Sequence, residues 1–199
     1  EGNVVVIEEM VEVVDCLAIQ IVDNNNVVHI GRGSTFEETS ISVADGDNHV
    51  VIGEDCMFAR NTRIMASDFH AIIDLQTGKR TNVSKDVIID NHVWVGYGAV
   101  ILKKTHIFSN SIIGAGAIVH GKVSANSIYA ADAKGSERAE KRLPENSREV
   151  TWERQRQTTG KPLKMYRVEK SEQFDAVRIN DDIVVNVEND ISVCFNRIR

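Results

Sequence analysis

The chain has 199 residues, enough for one substantial hydrophobic core or for one domain with an appendage. Its net charge of −6 argues against nucleic acid as a partner, and no apolar run reaches the roughly 18 residues of a membrane span. Three isolated cysteines without CxxC spacing, and no visible secretory signal peptide, favour a reducing cytoplasmic compartment.

The N-terminal third contains three copies of one short apolar segment, each of which follows a turn-prone cluster of Asn, Asp or Gly. The copies begin 23 and 22 residues apart, and they are Asn3–Ile7, Asn26–Ile30 and Asn48–Ile52. Asn, Asp and Gly suit corners because they tolerate positive φ or bond their own backbone. We interpret these segments as wide coils of a β-helix, and we expect Cys56 to be a small buried apolar residue within it.

The segment from Ile89 to Val119 has a strict six-residue period. An aliphatic residue falls on every sixth position, and a small or β-branched residue follows four positions after each of the first five. A period of six fits neither an α-helix nor a plain strand, and it is typical of a parallel β-helix. An ordinary β-sandwich with coincidental spacing is the alternative. With three hexads per coil, the inward side chains form ladders: Ile89 with Ile107, Val95 with Ile113, and Ile101 with Val119.

The period breaks at residues 66–84. From Ile64 to Ile89 the chain takes 25 residues, whereas one coil of three hexads takes 18. The excess predicts a loop that protrudes from the prism. Loops on a rigid scaffold are where binding and catalytic residues concentrate.

The hexads stop after Ile128, which predicts a β-helix domain over 1–130 and an extension over 131–199. Residues 134–157 are charged and helix-permissive, and residues 158–162 have the composition of a linker. Three short strand-like runs follow: Phe174–Ile179, Ile183–Val187 and Ile191–Phe195. We predict that they form a β-cap on the end of the β-helix, where unpaired backbone groups must be covered.

Residues 45–130 resemble the hexapeptide-repeat acyltransferases. The phrase Ser67-Asp-Phe-His70, the loop ending Gly78-Lys-Arg80, and His92-Val-Trp94 are most similar to O-acetyltransferases of capsular and other surface polysaccharides, the sialic-acid type included. The resemblance implies an all-β, left-handed parallel β-helix, acetyl-CoA as the donor and a saccharide hydroxyl as the acceptor. It also implies a homotrimer whose active sites lie between prisms.

Within this resemblance, His70 matches the family's catalytic histidine and Trp94 its tryptophan beside the thioester. A hydroxyl attacks a thioester readily only when its proton is removed, and a histidine, which titrates near about pH 6.5, can accept it. No Gly-x-Ser-x-Gly elbow is visible, so direct attack without an acyl-enzyme is expected. Asp68 either orients the imidazole, binds the sugar, or is a plain corner residue.

The remaining candidates concern the two substrates. Small residues 18 positions apart are expected to stack at one corner, where backbone amides would contact the pantetheine arm of coenzyme A. Two lysines would bind the phosphates of the coenzyme. The coenzyme A candidates are Gly96, Tyr97, Gly98, Ala115, Gly116, Lys122 and Lys134. Lys79 and Arg80 are candidates to bind an anionic sugar, with a solvated loop tip as the alternative.

Counting coils across the loop places His70 and Trp94 at different corners of one prism. We therefore hypothesise that His70 of one subunit faces Trp94 of its neighbour. Two other functions stay open: an acetyltransferase for a small acceptor (an antibiotic, an amino sugar or serine), and a non-catalytic β-helix scaffold. A zinc site on His70, His92 and His120 is disfavoured because their spacings do not suggest one cluster, so no metal is expected.

Overall fold

The computed structural model describes residues 2–131 and, beyond them, five strands within 138–197. Every regular element in these described residues is a β-strand. The chain winds as a three-sided parallel β-helix, so the predicted all-β fold class of hexapeptide repeats is confirmed.

The three faces of the prism are built from strands that recur in each coil. The first face contains β1 (Asn3–Ile7), β3 (Val27–Ile30), β5 (His49–Ile52), β8 (Val87–Ile89), β11 (His106–Ile107) and β14 (Lys122–Val123). The second contains the first halves of β2 (Glu12–Ile21) and β4 (Thr35–Val43), then β6 (Met57–Phe58), β9 (Trp94–Val95), β12 (Ile112–Ile113) and β15 (Ser127–Ala131). The third contains the second halves of β2 and β4, then β7 (Thr62–Met65), β10 (Val100–Leu102) and β13 (Ile118–Val119).

The predicted ladders are confirmed residue by residue. Ile89 pairs with Ile107, Val95 with Ile113, and Ile101 with Val119. All six side chains are buried, as are the small residues between them: Val93, Ala99, Thr105, Ser111 and Ala117. The prism interior is thus filled by stacked aliphatic side chains, each of which contributes about 1.5–3 kcal/mol on burial.

The N-terminal coils add two further ladders to the core. Phe36 and Phe58 stack with ring centroids 4.7 Å apart and planes 10° from parallel. At the corner before the first face, Asn26 N–H donates to Asn3 Oδ1 at 2.9 Å, and Asn48 N–H donates to Asn26 Oδ1 at 3.2 Å. These asparagines are buried, and each Nδ2 donates to a corner carbonyl, so the ladder satisfies polar groups that water cannot reach.

Cys56 is completely buried, as predicted from its place in the hexad. Burial raises the pKa of its thiol to about 12, so the group stays protonated and unreactive at neutral pH. Its thiol donates to the carbonyl oxygen of Asp90 at 3.2 Å. Cys56 therefore serves as a small core residue.

The C-terminal strands pair with part of each end of the prism. β16 (Arg138–Arg142) pairs antiparallel with β15 of the last coil. At the other end, β19 (Asp182–Val187) pairs antiparallel with β1, and β20 (Ile191–Arg197) with β2. β18 (Phe174–Ile179) extends β19, and β17 (Tyr166–Val168) extends β20. The three predicted strands therefore form; β19 and β20 pair with the first coil, and β18 pairs with β19.

The helix-permissive interpretation of 134–157 is wrong at Arg138–Arg142, which form a strand. The free edge of β15 offers backbone partners to these residues, and pairing with it overrides their high intrinsic helix propensity. The rest of that segment and the predicted linker at 158–162 lie outside the described residues. The division into domains at 1–130 and 131–199 stays a prediction.

Replacing Ile107 by Ala is expected to lower the free energy of unfolding by about 2–5 kcal/mol, because the shortened side chain leaves a cavity between Ile89 and Val123. Denaturant unfolding followed by circular dichroism measures the change. Ile118, on the outer surface and 61% exposed, is the matched control, and its replacement by Ala should have a much smaller effect. Equal losses at both positions would contradict the inward ladder.

Candidate functional site

The predicted loop leaves the corner between the third and first faces. β7 ends at Met65 and β8 begins at Val87, and we call residues 66–86 the corner loop. Its outer half folds as a hairpin, in which Ile73 forms a β-bridge with Arg80. Asp74 N–H donates to Lys79 O at 2.9 Å, and Gly78 takes the left-handed φ of 66° that this tight turn requires. The loop is therefore a built element with its own hydrogen bonds.

A first anchor ties the corner loop to the preceding coil through Asp45. Arg80 Nη2 lies 2.7 Å from Asp45 Oδ2, and the hydroxyls of Ser67 and Ser84 also donate to this oxygen. The hydrogen bond from Arg80, together with that from Ser84, holds the pKa of Asp45 below its usual value despite opposition from burial. Arg80, predicted to bind substrate, is thus engaged in holding the loop, and a contact with sugar stays a prediction.

A second anchor ties the loop to the following coil through Asp68. Lys103 Nζ lies 2.5 Å from Asp68 Oδ2 and also donates to Asn82 O at 2.9 Å. The hydrogen bond from Lys103, with a further one from Asn82, lowers the pKa of Asp68. Three roles were left open for Asp68. The structure supports a structural role at the corner, since the Asp68 carboxylate binds Lys103 and Asn82.

His70 lies between these anchors with its side chain exposed. Its carbonyl oxygen accepts a hydrogen bond from Asn82 Nδ2 at 2.8 Å, and its imidazole makes no hydrogen bond with the residues that the structure describes. The preceding Phe69 has a φ of 58°, in the left-handed region that bulky residues avoid. The main chain at His70 is therefore held firmly while the imidazole stays open to solvent.

Trp94 lies on the second face, where it pairs with Met57 on one side and Ile112 on the other. Its side chain is partly exposed on the outside of the prism. The second face lies across the prism from the corner that carries His70. The structure thus separates the two predicted catalytic residues within one chain, as coil counting indicated.

The glycine-rich corner follows Trp94 directly, between the second and third faces. Gly116 N–H donates to Tyr97 O at 2.7 Å, so the two turns stack as predicted. Gly98 and Gly116 are left-handed, with φ of 67° and 69°, and nothing lies within 4 Å of where a Cβ would be. Tyr97 is 60% exposed and Ala115 is exposed beside it. The corner therefore presents an open backbone track.

Gly96 serves this corner in another way. A Cβ at Gly96 would come within 2.8 Å of both Ala115 N and Ile113 O in the next coil. The residue must lack a side chain for the coils to stack at their normal spacing. A role for Gly96 in coenzyme binding stays a prediction, whereas its role in packing is visible.

The candidate lysines lie in different places. Lys79 is exposed at the loop hairpin. Lys122 is exposed in β14 on the first face, across the prism from the glycine corner. Lys134 lies outside the described residues.

The histidines of the zinc alternative are dispersed. His92 lies at the corner between the first and second faces, where Nδ1 is 2.7 Å from Asp55 Oδ2. His120 lies between β13 and β14, two coils beyond His70. Across the described part of the chain, no group of three His, Cys, Asp or Glu residues is arranged to hold a metal ion. Within the same residues, no helix has the length and apolar character of a membrane span.

Asn82, Lys103 and Asp45 escaped the sequence prediction. Each of them makes a contact that joins two residues 14–39 positions apart in the chain. No local sequence pattern therefore marks these three residues. The only signal available was the extra length of the coil that contains residues 66–84.

Acidification is expected to release the corner loop before the prism unfolds. Asp45 and Asp68 have pKa values below the ordinary 3.8 in the folded chain, so the detached loop binds protons more readily. The stability that the two carboxylates contribute is present above about pH 4 and is lost as the pH falls below it. Hydrogen exchange between pH 6 and 3, corrected for intrinsic rates, should show residues 70–82 losing protection first.

Two substitutions test the same anchor at neutral pH. Asp45→Asn should expose the loop amides already at pH 6, because the ion pair with Arg80 is lost. Asp47→Asn at the same corner should not, because the Asp47 carboxylate accepts from the exposed Asn25 amide and forms no ion pair within the described residues. Unchanged loop protection in Asp45→Asn would exclude the anchor.

Comparison with known proteins supports the resemblance. A polysialic acid O-acetyltransferase of Escherichia coli O1:K1 / APEC is 46% identical over 76 residues, which are 38% of this chain and 24% of the relative. One from Neisseria meningitidis is 41% identical over 76 residues, 38% of this chain and 35% of the relative. The crystal structure of the polySia-specific acetyltransferase NeuO matches with a TM-score of 0.58 at 32% identity, covering 70% of this chain and 60% of that one.

No protein-family model matches the chain. The chain covers 24% and 35% of the length of the two curated relatives, so the likeness concerns a part of each. The solved structure extends the likeness in fold to 70% of this chain. By sequence and by fold, this chain is therefore related to the hexapeptide-repeat O-acetyltransferases.

Proposed function

We propose that this protein is an acetyl-CoA-dependent O-acetyltransferase whose acceptor is a hydroxyl of an anionic surface or capsular polysaccharide. The observation that carries the proposal is the setting of His70: an exposed imidazole on a main chain fixed by two anchored ion pairs. The named activity of the two curated relatives and of the solved structure supports the reaction and the class of acceptor.

In the proposed reaction, His70 is the general base. Its imidazole accepts the proton of the acceptor hydroxyl as the hydroxyl oxygen attacks the acetyl carbonyl carbon. The new C–O bond forms and the C–S bond breaks, and the leaving thiolate takes up a proton from the imidazolium or from water. The indole N–H of Trp94 donates to the departing sulfur, which lowers the energy of the charge that develops there.

Acetyl-CoA fits the glycine corner next to Trp94. The open space beside Gly98 and Gly116 lets an extended pantetheine arm approach the backbone, and the exposed Tyr97 ring borders the track. Ala115 keeps the neighbouring turn small. Lys122 and Lys134 are the candidate cations for the phosphates, with Lys122 supplied from a different face of the prism or from another subunit.

The acceptor lies over the corner loop in this proposal. Lys79 is an exposed cation at the hairpin, suited to the carboxylates of an acidic sugar chain. Arg80 holds the loop through Asp45, so the loop keeps its shape while Lys79 meets the acceptor. The sparse cysteines, without CxxC spacing, support a reducing compartment such as the cytoplasm.

The active site is proposed to form between subunits of a homotrimer. His70 and Trp94 lie on opposite sides of one prism, so a neighbouring copy must bring them together. The apolar loop tip supports this assembly, since Ile72, Ile73 and Leu75 are 61%, 47% and 97% exposed. Apolar side chains concentrated on a protruding loop are suited to burial against another copy.

His70→Ala is expected to lower the acetylation rate roughly 10²–10⁴-fold, the usual contribution of a general base. Thiol release from acetyl-CoA with polysialic acid and with a panel of neutral sugars measures the rate and the acceptor class. His120→Ala is the matched control, because His120 is an exposed histidine at the same corner two coils away. Absence of thiol release with every acceptor, together with absence of coenzyme A binding, would instead favour a scaffold.

Mixing two inactive variants tests the shared site. His70→Ala and Trp94→Phe subunits, each poor alone, should regain activity after joint refolding, because about one site in four then combines an intact His70 with an intact Trp94. The same variants kept as separate homo-oligomers are the control. If the mixtures exchange subunits but recover no activity, the shared site is contradicted. Both residues would then act within one chain, or one of them would lie outside the active site.

A further inference from the structure

Asn82 lies on the returning limb of the corner loop, and its side chain contacts three alternating positions around His70. Nδ2 donates to Asp68 Oδ2 and to the His70 carbonyl oxygen, both at 2.8 Å. Oδ1 accepts the main-chain N–H of Ile72 at 2.7 Å. One amide therefore holds the backbone before, at and after the candidate base.

The same residue joins both anchors of the corner loop. Oδ1 also accepts from Arg80 Nε at 3.3 Å, and Arg80 is paired with Asp45. The Asn82 carbonyl accepts from Lys103 Nζ at 2.9 Å, and Lys103 is paired with Asp68. An asparagine amide has two donor hydrogens and an oxygen with two lone pairs, and all four positions are used here. Asn82 is thus attached to the coil before the loop and to the coil after it.

The conformation that these bonds hold is one the chain does not favour by itself. Phe69 has a φ of 58°, and Ser67 Oγ accepts its N–H at 3.0 Å. A bulky residue occupies the left-handed region only when surrounding contacts impose it. Since the His70 imidazole has no hydrogen-bond partner of its own in the described structure, the only restraint on its placement is the main chain, which fixes the Cα–Cβ bond from which the imidazole extends.

We propose that Asn82 is a positioning residue for His70: its amide fixes the His70 carbonyl and thereby sets the direction in which the imidazole projects toward the acceptor. The inference rests on the proposed role of His70 as general base. A base displaced by about 1 Å loses on the order of 10²-fold in rate, so the orientation of this turn has a direct effect on catalysis.

Steady-state kinetics of Asn82→Ala test the proposal. The variant is expected to lower kcat roughly 10–100-fold and to leave the KM for acetyl-CoA within about twofold, because the donor site at the glycine corner is untouched. Thr81→Ala is the matched control from the same limb. Its hydroxyl and its main-chain N–H both donate to Ile72 O, at 3.1 and 2.8 Å, and it makes no hydrogen bond to residues 67–70 in the described structure. Equal kcat values in the two variants would overturn the proposal.

A double-mutant cycle separates positioning from a purely structural effect. In a His70→Ala background there is no imidazole to direct, so adding Asn82→Ala should change the residual rate by less than about twofold. A full additional loss would show that Asn82 acts by another route and would overturn the inference. Wild-type activity in His70→Ala would instead contradict the proposed function itself.

Asn82→Asp keeps the inference testable if the alanine variant disturbs the fold. It is isosteric and retains an oxygen to accept the Ile72 N–H, but it has no donor for the His70 carbonyl at neutral pH. It should show the same loss of kcat as Asn82→Ala. Its carboxylate lies beside that of Asp68 and beside the Arg80 guanidinium, so a circular-dichroism melt checks that the prism stays folded. An aspartate variant with wild-type kcat would overturn the proposal whatever the alanine variant does.

Discussion

The structure depends on the register in which one coil hydrogen-bonds to the next. Parallel pairing aligns Ile89 with Ile107 and Val95 with Ile113, so each inward side chain rests on its equivalent one coil away. Adjacent strands lie about 4.8 Å apart, and this spacing requires every coil to turn its corners at the same places. Gly96 shows how strict the requirement is, since a Cβ there would meet the backbone of the next coil. The stacking that fills the core therefore also aligns the corners, where the exposed chemistry lies.

The corner loop is an insertion between β7 and β8 that leaves the register of the neighbouring strands unchanged. The coil gains residues between β7 and β8 while the strands on either side keep their pairing, so the excess must leave the prism at one corner. A loop of this length loses considerable conformational entropy on ordering, and two ion pairs together with the loop's own hydrogen bonds offset part of that cost. Asp45 holds it from the coil before and Lys103 from the coil after. The catalytic proposal for His70 relies on this double attachment, because an exposed imidazole is useful only when its main chain is held still.

At the ends of the prism, some of the outermost strands pair with C-terminal strands that run antiparallel to them. A parallel β-helix leaves unpaired N–H and C=O groups on its first and last strands, which invites association with other chains. Antiparallel β16 pairs with β15 of the last coil, and β19 and β20 pair with the first coil. The C-terminal segment returns to the N-terminal coil, so both ends of the sequence meet there. The added strands thus occupy the free edges of β15, β1 and β2, whereas β13 and β14 remain edge strands at the last coil.

The prism could be predicted from sequence, because its six-residue period is a local property that recurs in every hexad. Ile101, Val119 and their equivalents could be assigned to the core without coordinates, and so could the burial of Cys56 and the three C-terminal strands. The same period located the loop by failing there. Tertiary structure alone decided how the loop is held: Arg80 turns toward Asp45, Asp68 toward Lys103, and Asn82 toward His70. It also decided that Arg138–Arg142 form a strand, since a charged segment pairs with an edge only when that edge is present. These contacts join positions far apart or irregularly spaced in the chain, and only coil stacking brings them within hydrogen-bonding distance.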